Sequence, residues 1–91
     1  MKNISLYKEF GNNILTRSSI DYLFRKISKL NNKYIIIDFK NVKFISRSSA
    51  AEYLKLKEKI DKALVEQNMS DEVKSRFNLV VKQLKEISLV N

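Results

Sequence analysis

The chain has 91 residues, no Cys, no His, no Pro and a single Gly, and it carries a formal charge of +8. That length suits one domain and is too short for two, so residues 1–91 read as a single domain. Without Cys or His there are no disulfides, no thiolate metal site and no imidazole base, and 44% hydrophobic residues exclude a disordered tail.

In chain order, Ile4-Ser5-Leu6-Tyr7-Lys8-Glu9-Phe10 partly alternates and predicts a first strand. Phe10-Gly11-Asn12-Asn13 follows as a turn, since Gly and Asn tolerate positive φ, and Ile14-Leu15 offers a short returning strand. Thr16 or Ser18 then caps a helix whose apolar stripe is Ile20, Leu23, Phe24, Ile27 and Leu30. Asp21 sits early in that helix and Arg25, Lys26 and Lys29 sit late, an order that suits the helix dipole. Asn31-Asn32 ends it.

Tyr34-Ile35-Ile36-Ile37-Asp38-Phe39 is a continuous β-branched run, the pattern of a strand buried on both faces. Val42-Lys43-Phe44-Ile45 is a shorter extended piece, and Ser46-Arg47-Ser48-Ser49 opens a second helix. Ala50, Tyr53, Leu54 and Ile60 form its buried stripe, interrupted by Lys57. Ala63-Leu64-Val65-Glu66 reads either as the end of that helix or as a strand, and the βαβ pattern favours the strand. Ser70 with Asp71 and Glu72 starts a last helix with the stripe Val73, Phe77, Val80, Val81, Leu84 and Ile87. The order predicts an α/β domain with a mixed sheet of three to five strands and about three helices, packed mainly on one face.

No apolar run approaches the roughly 20 residues that span a bilayer, and no apolar signal core follows Met1-Lys2, so the expectation is a cytoplasmic protein without membrane contact. Residues 1–45 hold nine Lys/Arg and three Asp/Glu, net +6; residues 46–91 hold nine and seven, net +2. An excess on the N-terminal half suits an acidic partner or nucleic acid, and Tyr7, Phe10 and Tyr22 with Lys8 and Arg25 make a weak basic–aromatic patch there. A small basic nucleic-acid-binding protein is therefore the alternative reading of function. One lone carboxylate, Asp38, near the centre and no His or Cys argue against an enzyme. A single Gly cannot build a phosphate-cradling loop, and no cofactor or metal is expected. Arg17 is placed to pair with Asp38 or Glu52, and an edge strand near residues 4–8 leaves both a monomer and a homodimer open.

The segment Asp38-Phe39-Lys40-Asn41-Val42-Lys43-Phe44-Ile45-Ser46-Arg47-Ser48-Ser49-Ala50-Ala51-Glu52 resembles the signature of STAS-like domains of unknown function, which runs roughly Asp-Phe-x-x-Val-x-x-Ile-Ser-x-Ser-Phe-Ala-Asp-Glu. Leu15-Thr16-Arg17 before the first helix and Asn68-Met69-Ser70-Asp71-Glu72-Val73 before the last are similar to that family as well, so the resemblance spans about Phe10 to Leu84. The wider STAS group includes bacterial anti-sigma factor antagonists. The resemblance implies a non-catalytic regulatory domain that docks another protein, such as an ATPase-like kinase or an anti-sigma-type regulator, through the turn and helix after the central strand. In the antagonists a Ser of an Asp-Ser-Ser-Gly turn is phosphorylated, which breaks the complex, and alignment on Phe44-Ile45 places that Ser on Ser48. Ser46 stands where the antagonists carry Asp and Ser49 where they carry Gly; against the STAS-like pattern, Ser49 replaces Phe and Ala51 replaces Asp.

The candidate site is therefore Ser48 as a phosphorylation site, with Ser46, Arg47, Ser49, Glu52 and Lys55 as partner-binding residues. Hydroxyls here also serve as helix caps, and Ser49-Ala50-Ala51-Glu52 reads as a capping box worth about 1 kcal/mol.

Overall fold

Strands and helices alternate because short β-branched runs, too short to span a domain as helices, are separated by stripes of 3.6-residue period. A computed structural model of the chain describes residues 2–90, with side chains as far as Glu86. The elements are β1 (Lys2–Ser5), α1 (Leu6–Phe10), β2 (Asn13–Ile14), α2 (Arg17–Ser28), β3 (Tyr34–Asp38), β4 (Phe44–Ile45), α3 (Arg47–Lys59), β5 (Ala63–Gln67) and α4 (Asp71–Val90). The class is α/β, as expected.

Three strands form one sheet in the order β1-β3-β5, and β2 and β4 form a separate two-stranded ladder. Every pairing is parallel, where a mixed sheet was expected. Parallel pairs need crossovers, and helices fill them: α2 between β1 and β3, α3 between β3 and β5. The returning strand expected at Ile14-Leu15 is Asn13–Ile14, and it pairs with Phe44–Ile45, not with β1. The ambiguous run at Ala63 is a strand, registered Tyr34↔Ala63 through Asp38↔Gln67 against β3.

Of the strand predicted over Ile4–Phe10 only Ile4 and Ser5 are extended, and Leu6–Phe10 are helical. The Ser5 side chain accepts a hydrogen bond from the Lys8 N–H at 3.2 Å, Leu6 is fully buried, and Gly11 at φ 79° closes the short helix α1. The edge strand expected at residues 4–8 therefore spans only Lys2–Ser5.

The covered face of the sheet carries Ile4, Ile35, Ile37 and Leu64, all in one core with Leu23 and Ile27 of α2, Ala50 and Tyr53 of α3, and Val73, Phe77 and Val80 of α4. Its centre is aromatic: Tyr53 meets Phe24, Phe39 and Phe77 edge-to-face with ring centroids 5.4, 6.2 and 5.5 Å apart. The other face is open. The expectation that β3 is buried on both sides fails there, because Tyr34 is 62% exposed, Ile36 on the same strand is only half-buried, and Val65, its partner on β5, is 46% exposed. The α4 stripe also changes character: Val73, Phe77 and Val80 are buried, Val81 is half-buried, Leu84 is exposed, and the Ile87 side chain lies outside the described residues.

Candidate docking surface

The ladder β2–β4 ends in two adjacent strand-to-helix turns, and this fixes the geometry of the rim. The Ser46 N–H donates to the Ile14 carbonyl at 2.9 Å, and the Ser46 hydroxyl donates to the Leu15 carbonyl at 2.9 Å. The turn that starts α3 is thus tied to the turn that starts α2, and the two helices pack along each other.

Ser46 is the N-cap of α3. Its extended backbone (φ −71°, ψ 160°) and its oxygen, which accepts from the Ser49 N–H at 3.2 Å, satisfy the first turn. The capping box expected at Ser49–Glu52 does not form: the cap is Ser46, three residues earlier, and its own N–H is taken by Ile14. Ser49 occupies the third helical position, fully buried, with its Oγ 2.8 Å from that of Ser46. Although expected to face a partner, Ser49 shapes the turn from inside. Ser48 and Arg47 are exposed, with Ser48 Oγ 3.3 Å from Ser46 Oγ. Of the three hydroxyls in the turn, two hold it together and one is offered to solvent.

Glu52 and Lys55 continue along α3 in different directions. Glu52 turns toward α2, where contact with the Asp21 carboxyl raises its pKa above the usual carboxylate value, aided by partial burial and opposed by Lys55 and Arg17. Among the described residues Arg17 forms an ion pair with neither Glu52 nor Asp38. Lys55 is exposed and borders a groove of about 850 Å³ between α3 and α4, floored by Leu54, Val81 and Leu84 and edged by Lys55, Lys57, Glu58 and Lys85.

Asp38 holds the rim of the main sheet. Its Oδ1 accepts from the Asn68 side-chain amide and from the Lys40 N–H, both at 2.9 Å. Those two bonds, Asn68 first, lower its pKa from the ordinary carboxylate value. Asn68 stands at φ 61°, so the clamp also fixes the left-handed residue that turns the chain out of β5.

The sequence reading missed one polar network. Tyr53 is buried, and its hydroxyl donates to Glu66 Oε2 at 2.6 Å; Lys57 Nζ reaches Glu66 Oε1 at 2.9 Å and Oε2 at 3.0 Å. Lys57, read as a break in the α3 stripe, answers the one carboxylate on the covered face of β5. Burial and the Glu66 hydrogen bond push the Tyr53 hydroxyl far above its ordinary pKa, so it stays a donor at any physiological pH. A signal was available: Tyr53 and Lys57 are spaced i, i+4, and Glu66 lies two residues after the inward-facing Leu64.

Among the described residues no cluster of three or more carboxylates assembles into a metal site, no helix is long and apolar enough to cross a membrane, and no buried side-chain polar atom lacks a partner. Compared with protein-family models, with curated proteins and with solved structures, the chain matches none.

Proposed function

We propose that this domain is a non-catalytic, STAS-like regulatory module that docks a partner protein through the turn at residues 46–48 and the outer side of α3, with phosphorylation of Ser48 as its control. The observation that carries this reading is the division of labour in the turn. Ser46 and Ser49 are committed to the cap, whereas Ser48 is exposed and free to be modified without breaking it. A phosphate there sits at the N-terminal end of α3, where unpaired N–H groups and the helix dipole tolerate it, and Arg47 is adjacent. It adds nearly two negative charges to a turn whose one charged side chain is Arg47, and so alters what the surface attracts. The groove beside Lys55 offers apolar contact area next to that charge switch. The partner in this reading is an ATPase-like kinase or an anti-sigma-type regulator.

Affinity capture from the source cells with wild type, Ser48→Ala, Ser48→Asp and Leu54→Asp tests it. The same partner should be held by wild type and Ser48→Ala and lost by Ser48→Asp and Leu54→Asp. Retention of the partner by Ser48→Asp removes the switch, and retention by Leu54→Asp moves docking away from the groove.

A further inference from the structure

The exposed face of α1 and α2 lies apart from the α3 rim and has a chemistry of its own. Two contacts join these helices: the Lys26 ammonium with the Glu9 carboxylate, and the Phe10 ring edge-on to Tyr22 with centroids 6.3 Å apart. They have a consequence for charge. Glu9, the one acid of α1, is neutralised by Lys26, and Asp21, the one acid of α2, is turned to Glu52 on α3. The two ion pairs among the described residues are Lys26–Glu9 and Lys57–Glu66, so Lys8, Arg25 and Lys29 are uncompensated cations. Tyr22 and Arg25 of α2 and its C-cap residue Lys29 follow at steps of three and four and share the side opposite the buried stripe, about one helical turn apart. Tyr22 is 48% exposed and Tyr7 of α1 45%.

We infer that this face binds single-stranded nucleic acid, with Lys8, Arg25 and Lys29 on the phosphates and Tyr22 and Tyr7 as stacking surfaces for bases. Uncompensated cations alone would suit any polyanion. The half-exposed rings select for unpaired bases, because stacking needs a free base face, which a duplex hides. The face also lies in the more basic half of the chain, residues 1–45, which holds +6 of the +8. The inference is independent of the docking reading, since none of the residues it assigns to the nucleic acid lies on α3.

The test is fluorescence anisotropy of the full chain with labelled 15-mers of oligo(dT) and oligo(rU) between 50 and 200 mM salt. Three phosphate contacts predict a slope of about −2 in log K against log salt, a loss of roughly 20-fold across that range. Tyr22→Ala should weaken binding about 10-fold and Tyr22→Phe should restore it, since the ring does the stacking. Arg25→Glu with Lys29→Glu should abolish binding, whereas Lys55→Glu with Lys59→Glu on α3 should leave it within twofold. No binding at 50 mM salt overturns the inference. So does equal loss from the two charge reversals, which would mark a non-specific effect of net charge, or equal competition by duplex DNA. Tighter binding to phosphatidylserine vesicles, unaffected by Tyr22→Ala, would assign the face to an anionic membrane instead.

Discussion

Along α3, Ser49, Ala50, Tyr53 and Lys57 face the sheet, while Ser48, Lys55 and Lys59 face water. The inward residues are tied to parts of the chain far away in sequence: Tyr53 to Phe24, Phe39, Glu66 and Phe77, and Lys57 to Glu66. The outward residues have no such partners. The same helix thus carries a side whose residues packing dictates and a side that is free for recognition. Ser46 stands at the boundary, capping the helix while anchoring it to Leu15. Where a helix of this domain bears function, its exposed residues should tolerate change in stability and its buried ones should not.

The contrast is sharpest at Tyr53. Tyr53→Ala removes the hub of the aromatic cluster and leaves Glu66 with Lys57 alone, and should cost about 3–5 kcal/mol in urea unfolding, a large part of a small domain's total stability. Tyr53→Phe keeps the ring and loses only the bond to the Glu66 carboxylate, so a smaller loss of about 1.5–3 kcal/mol is expected from the same measurement. A Tyr53→Phe loss close to zero would mean that Lys57 alone satisfies Glu66.

The two helix starts on the rim refine the comparison. Ser46→Ala should cost about 1 kcal/mol, because its oxygen caps α3 and its proton reaches Leu15. Thr16→Ala should cost less than about 0.5 kcal/mol, because Thr16 makes no side-chain cap to the α2 backbone and contacts only the hydroxyls of Ser18 and Ser19. Equal effects at the two sites would break the argument that Ser46 has a special structural role.

A pH titration of stability reports the Asp38 clamp. Its folded pKa is lowered, so the unfolded chain binds the proton more readily. The contribution is complete above the ordinary carboxylate pKa of 3.8 and is lost as pH falls through the lower folded value. Asn68→Ala should flatten that part of the profile, and an unchanged profile would show that the clamp adds nothing in solution. The smallest effects belong to the outward side of α3: Ser48→Ala and Lys55→Ala should each change stability by less than about 0.5 kcal/mol, while partner capture should survive Ser48→Ala and weaken with Lys55→Ala.

Much of the fold was legible before the tertiary structure. The stripe of α2 from Ile20 to Ile27, the β-branched β3 and the acidic start of α4 follow from period and capping chemistry, which act over a few residues. The end of β1 was misread because Leu6, Tyr7 and Phe10 fit an alternating strand as well as one turn of helix, and a local Ser5 cap decided between them. The candidate turn was half legible. Three Ser residues with cap chemistry were visible, but their spacing could not tell which hydroxyl turns inward; that depends on Leu15 and Ile14 arriving through the parallel β2–β4 ladder.

By itself the sequence determined the class, the order of elements and the candidate turn, since periodicity, capping and charge are properties of neighbouring residues. Only the tertiary structure decided that the sheet is wholly parallel with one face open, that Lys57 belongs to Glu66, that Ser48 and not Ser49 is exposed, and that a groove lies between α3 and α4. Each of these depends on residues 9 to more than 30 positions apart being brought together, as with Lys57 and Glu66 or Ser46 and Leu15, and no local pattern encodes that meeting.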